Sequence, residues 1–274
     1  MSDRICLWAA AVTAVAMMTQ LDPAFAQAPQ ASPELVAAAE ARTFADGVGG
    51  TLPYRLLRPL EVTEGVEYPL LVFLHGMGER GDDNVRQLIW LEPLADEGLR
   101  ARHPAFVVVP QCPLDTEPGP PRSMWTQRLD LNQPPQAAPE PAPAMKMVMG
   151  IMDAAIEELP IDARRIYVAG LSMGGYGTWD LAWRRHEQLA AIVPICGGGD
   201  VDKAKLIADL PTWVVHGGAD PVVPAANSRR MVAALEQAGG RPIYTELEGV
   251  GHDSWSPAMK NRLLWDWLFA QRSK

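Results

Sequence analysis

Ile166-Tyr167-Val168-Ala169-Gly170-Leu171-Ser172-Met173-Gly174 runs from four apolar residues into a Gly-x-Ser-x-Gly turn and on into a helix-compatible stretch. Read this way, a serine sits on a sharp strand-to-helix turn. In such a turn the glycines absorb backbone strain and let neighbouring chain come close. The hydroxyl then projects above the sheet, and the helix N-terminus aims amide N–H groups at a reacting carbonyl. The five-residue pattern also arises by chance, so its surroundings decide what it means.

Further short apolar runs lie at 70–74, 105–109, 190–194 and 212–215, mostly rich in Val and Ile and closed by Gly, Pro or His. Runs of this kind suit central strands of a parallel sheet covered on both faces. Residues 242–247 supply a last strand. Arg42-Thr43-Phe44 and the stretch 52–57 predict an antiparallel hairpin that turns at Gly47, Gly49 and Gly50. Helical spacing appears at 145–159, where Met145, Val148, Met149, Met152 and Ile156 recur every three or four residues, and again at 176–185, 225–238 and 257–271. The alternation predicts an α/β fold, a mostly parallel sheet of about eight strands with helices on both faces. Ligands of such sheets bind beyond the carboxyl ends of the strands. The Pro-rich stretch 110–143 breaks the rhythm and reads as an insertion at that end. Trp125 within it is either a plug that pins the loop or a pocket wall.

The chain opens with Arg4, an apolar stretch from Ile5 to Met18, and Ala24-Phe25-Ala26. This predicts a signal peptide over 1–26 cut before Gln27, and export to the periplasm or the medium. The apolar part is shorter than the roughly 18–20 residues that span a bilayer, and no later segment qualifies, so no membrane span is expected in the mature chain. Residues 27–41, rich in Ala, Pro and Gln, read as a flexible tether or short helix with little to bury, ahead of a catalytic domain over 42–274. Net charge is −9, with no Lys/Arg cluster, which argues against nucleic acid as a partner. Cleavage would leave Cys112 and Cys196, each after a predicted strand. Two intervening strands would separate them by about 14 Å, against the roughly 7 Å a disulfide allows; in an oxidising compartment the bridge stays an open alternative.

An acyl-transfer serine needs a base, a carboxylate to orient the base, and donors for the oxyanion. Asp220 follows the run 212–215, and His252 follows the last strand on a Gly-flanked loop. The order Ser172, Asp220, His252 is that of α/β-hydrolases. Asp253, the nearest rival acid, better suits capping a helix near Ser256. For the oxyanion, the backbone N–H of Met173 is one expected donor. The other is Met77, with Gly76 as alternate, in His75-Gly76-Met77-Gly78-Glu79-Arg80-Gly81. His75 is expected to hold that loop, and His103 and His186 to lie at the surface. Trp125, Trp255 and Tyr176 are candidate pocket residues.

Phe73-Leu74-His75-Gly76-Met77-Gly78-Glu79-Arg80-Gly81, Pro110-Gln111-Cys112-Pro113, the segment 170–179, Pro194-Ile195-Cys196-Gly197-Gly198-Gly199 and Gly251-His252-Asp253-Ser254-Trp255 together carry a resemblance. From about Leu52 onward the chain resembles the exported phospholipase/carboxylesterase branch of the α/β-hydrolases. That branch is often labelled prolyl-oligopeptidase-like, and it is similar to poly(hydroxyalkanoate) depolymerase-like and feruloyl esterases. The resemblance implies the α/β-hydrolase fold and a serine esterase acting on a small-molecule or polymeric ester, with no cofactor or metal. A peptidase of the same type, or a silent binding module on the same scaffold, are the rival readings.

Overall fold

In the computed structural model the residues described are 30–115, 124–127 and 135–274. The expected signal peptide lies outside them, as do 116–123 and 128–134 of the Pro-rich stretch. In chain order come α1 (Pro33–Ala38), β1 (Ala39–Ala45), β2 (Thr51–Leu57), β3 (Tyr68–Leu74), α2 (Glu92–Ala95), α3 (Glu97–Arg102) and β4 (Phe106–Pro110). They are followed by α4 (Pro143–Glu158), β5 (Ile161–Leu171), α5 (Met173–Arg185), β6 (Ala191–Ile195) and β7 (Trp213–Gly217). The chain closes with α6 (Ala226–Gln237), β8 (Ile243–Leu247), α7 (Trp255–Lys260) and α8 (Arg262–Ala270).

The eight strands form one sheet in the order β1-β2-β4-β3-β5-β6-β7-β8. β1 and β2 pair antiparallel, β2 runs antiparallel to β4, and every later neighbour is parallel. Every residue of β3, β4 and β6 is buried, because parallel strands carry helices on both faces. Alternation then sorts side chains to opposite layers. Leu70, Val72 and Leu74 face one layer with Val148, Met152, Met231 and Leu235, while Leu71 and Phe73 face the other with Leu264, Trp265 and Leu268. No helix among the described residues is long and apolar enough to cross a membrane.

Four local expectations need correction. The segment before Arg42 does have something to bury. Ser32 caps α1 by accepting from the Leu35 N–H at 3.1 Å, Pro33 sits in the first turn, Leu35 is buried, and β1 already begins at Ala39. The C-terminal helix is two helices, because Asn261 leaves helical geometry and its side chain caps α8 through the Leu263 N–H. α5 starts at Met173, earlier than the helical spacing suggested, since Gly174, Gly175 and Gly177 mask its first turns. His103 is half-buried, stacked on Phe269 with Nε2 2.6 Å from Asp266.

Cys112 and Cys196 are unpaired, buried thiols, each pushed up to about 12 by burial. They follow β4 and β6, with β3 and β5 between, and no disulfide joins them. From the last turn of α5, Arg184 ties down the end of the insertion, donating to the carbonyls of Ala138 at 2.8 Å and Pro139 at 3.1 Å.

Candidate active site

Ser172 occupies the step from β5 to α5 with φ 52° and ψ −117°, a conformation L-residues rarely adopt. Its neighbours hold it there. The Ser172 N–H donates to Ile195 O at 2.9 Å, and its carbonyl accepts from Tyr176 N–H in the first turn of α5. Gly174 is required because a Cβ there would lie 1.9 Å from Leu74 O, and Gly170 because a Cβ would lie 2.4 Å from Gly174 O. The two glycines of the motif therefore let β3, β5 and α5 meet at the serine.

Two loops at the same end of the sheet bring the other side chains. Asp220 follows β7 and His252 follows β8, and the loops are laced by Ala219 N–H donating to Val250 O at 3.0 Å. Gly217 permits this contact, since a Cβ there would meet Gly251 O at 2.1 Å. His252 Nε2 lies 2.9 Å from Ser172 Oγ, and His252 Nδ1 lies 2.7 Å from Asp220 Oδ2. Nδ1 faces a carboxylate and so carries the ring proton, which leaves the Nε2 lone pair for the serine hydroxyl. The Asp220 side chain is fully buried. Asp253 binds Ser256 through both its N–H and its hydroxyl at the start of α7, away from this chain of contacts.

A cleft of about 320 Å³ opens over Ser172 and His252, with Met77, Met173, Tyr176, Val222, Val223 and Trp255 among its walls. Met77 begins a single 3-10 turn after Gly76, whose missing Cβ would stand 3.7 Å from Ser172 Cβ. Met173 is the first residue of α5, where backbone N–H groups have no partner within the helix. Both expected oxyanion donors thus border the serine. Trp255 packs edge-on against His252 at 5.1 Å between centroids. Tyr176 lines the cleft while its hydroxyl accepts from Asn227 Nδ2 at 2.9 Å.

Trp125 is the correction here. It is fully buried, outside the cleft, and donates its indole N–H to His75 O at 2.9 Å, so it plugs the loop rather than lining a pocket. Sequence reasoning missed Val222 and Val223, which follow Asp220-Pro221 as an apolar pair and offered that as their only signal. It also gave no role to His216 or to Glu79. Glu79 reaches the cleft wall, accepts from Trp90 Nε1 at 3.1 Å, and has its carboxyl pushed up by burial. Among the described residues no three His, Cys, Asp or Glu side chains gather to hold a metal ion.

His75 holds its loop as expected. Nδ1 donates to Gly76 O at 2.6 Å and Nε2 accepts from Cys112 N–H at 2.9 Å. Complete burial pushes the ring down to about 4. An unfolded ring takes up a proton below about 6.5, so between that pH and 4 the unfolded state binds more protons and stability falls as pH falls. The expected loss is about 3 kcal/mol across that window. Urea unfolding at a series of pH values checks it, and His75→Asn should flatten the dependence; an equally steep one would remove His75 as the cause.

A mostly parallel sheet of eight strands, flanked by helices and with this serine turn beyond β5, is an α/β hydrolase. The chain belongs to the phospholipase/carboxylesterase family, whose profile it matches over residues 61–263. It is 25% identical over 197 residues to lysophospholipase-like protein 1 of Mus musculus, across 67% of this chain and 79% of that protein. It superposes on a thermostable esterase with TM-score 0.77 and 40% identity over 87% of its length, and spans 64% of that structure. A ferulic acid esterase shares the fold alone, with TM-score 0.61 and 16% identity over 84% of this chain and 97% of that one.

Proposed function

We propose that the protein is a serine esterase that cleaves carboxylic esters through an acyl-enzyme. The observation that carries this is the chain of contacts from Ser172 Oγ to His252 at 2.9 Å and from His252 to Asp220 at 2.7 Å, mounted on a positive-φ serine. Ser172 Oγ attacks the ester carbonyl while its proton passes to His252 Nε2. The N–H groups of Met77 and Met173 hold the developing oxyanion. The tetrahedral adduct collapses, His252 returns the proton to the departing alcohol oxygen, and Ser172 keeps the acyl group. Water then repeats the sequence and releases the acid.

The cleft favours uncharged esters. Met77, Leu171, Val222, Val223 and Trp255 give it apolar walls, and Glu79, its carboxylic member, is pushed toward the neutral form. Likeness to an esterase at 40% identity supports the ester reading over the amide one. A fluorophosphonate probe tests it directly, since the activated oxygen displaces fluoride and keeps the phosphonyl group. The expected result is one adduct on the peptide carrying Ser172, with p-nitrophenyl acetate turnover lost in step. An adduct elsewhere, or turnover that survives full labelling, would reject the assignment.

A further inference from the structure

Asp220 receives more N–H donors than a proton relay requires. Its Oδ1 accepts from Val222 N–H at 2.8 Å and Val223 N–H at 2.9 Å. Its Oδ2 accepts from His252 Nδ1 at 2.7 Å and also faces His216 Nε2 at 3.3 Å. His216 belongs to β7, four residues before Asp220, and is wholly buried.

The surroundings of His216 fix its tautomer. Nε2 has two neighbours, Asp220 Oδ2 and Val223 O at 3.0 Å, and both are acceptors. Nε2 therefore carries the proton. Nδ1 is left to accept from Ser228 Oγ at 2.7 Å on α6, and Ser228 Oγ also lies 3.3 Å from Gly197 O. Burial pushes the ring below the ordinary histidine range, against the pull of Val223 O and Asp220, and keeps it neutral.

We propose that His216 is a positioning residue for the proton relay: its Nε2–H occupies the side of Asp220 Oδ2 that His252 leaves open and locks the carboxylate toward His252. The proposal rests on the serine-hydrolase reading above and adds a second histidine that never touches substrate. A carboxylate oxygen shared by two N–H donors is a weaker acceptor toward each. Without His216, Asp220 binds a charged His252 more strongly, and the imidazolium gives up its proton at higher pH.

Other groups around this pair do not change charge across that range. Glu246 lies opposite His216 on β8, is drawn down to about 2 by Arg229, and stays ionised. Cys196 beyond β6 and Tyr176 on α5 are each pushed up to about 12 by burial. Arg229 stays charged beside Glu246, and Asp253 is exposed and turned to Ser256.

Two substitutions separate this role from simple packing. His216→Asn puts an amide where Nδ1 stood, keeping a partner for Ser228 and removing the donor to Asp220. His216→Gln reaches further and restores an N–H at the Nε2 position. The readouts are the acid limb of kcat/KM on p-nitrophenyl acetate and, independent of turnover, the ring titration of His252 followed by NMR on ¹⁵N-histidine protein. In His216→Asn both midpoints should rise by about half a unit to one unit, with kcat reduced about tenfold and KM little altered. His216→Gln should return the midpoints to the wild-type value. An unmoved midpoint in the Asn variant, or the same shift in both variants, overturns the proposal. If His216→Asn does not fold, the wild-type ¹⁵N spectrum decides instead: His216 should show a protonated Nε2 and an unprotonated Nδ1 at neutral pH, and the opposite tautomer, which has no N–H to give Asp220, is equally fatal. A wild-type chain without ester turnover would sink the esterase reading alone, because the NMR titration still reports on Asp220 and its two histidines.

Discussion

Ser172→Gly is expected to lower kcat on p-nitrophenyl acetate by about 10⁴-fold or more and, in the same protein, to raise the unfolding free energy. The first effect follows, on the proposed mechanism, from losing the attacking oxygen. The second follows from φ 52° and ψ −117° at this residue. A non-glycine held in such a region costs on the order of 1–3 kcal/mol. Glycine adopts it freely, and its greater freedom in the unfolded chain returns part of the gain. A net stabilisation of about 1 kcal/mol is expected. Ser172→Ala is the control, since it should be as inactive as the glycine variant without the added stability. Urea midpoints of the three proteins decide the matter. Equal stability of the Gly and Ala variants would show that the strain is not held at this residue, and surviving turnover would show that another group attacks.

Gly174→Ala should do the opposite and wreck the fold. The added methyl would stand 1.9 Å from Leu74 O, 2.5 Å from Leu74 C and 2.7 Å from His75 O, all of them backbone atoms at the end of β3. No rotamer change relieves a clash with backbone, so β3 and α5 must separate. A loss of more than about 4 kcal/mol, or no soluble protein, is expected. Gly78→Ala offers a close comparison, because a Cβ there meets nothing within 4 Å. Thermal melts of the pair should differ sharply, and similar melts would mean the elbow relaxes more easily than its packing implies.

Much of this arrangement was legible because its signals are local. The apolar runs at 70–74, 105–109 and 166–169 announce buried strands by composition; the first and last fall inside β3 and β5, and the second overlaps β4 from Phe106 onward. Ser172, Asp220 and His252 were each readable from a turn signature, and the sheet carries all three to one end. What escaped was set by tertiary packing. Glycine lowers helix propensity, so the start of α5 was hidden by residues chosen for contact with β3 and β6. The short helix was one of two readings of residues 27–41, but the burial of Leu35 was missed because one buried side chain leaves no periodicity. Trp125 divided evenly between two readings until its indole met His75 O. His216 had no signal of its own, since its meaning depends on which oxygen of Asp220 stands beside it.

β6 and β7 are joined by a narrow ladder: Ile195 pairs with Val215, and Ile192 with Thr212. Ser172 and both oxyanion candidates ride on the β3 and β5 side of that seam, while Asp220, His216 and His252 ride on the β7 and β8 side. The loops beyond β7 and β8 lace to each other through Gly218, Ala219 and Val250. In engineering terms the proposed acid and base form a cassette, so a graft of loops from a relative would have to take those after β7 and β8 as one piece while the serine elbow is left as it stands.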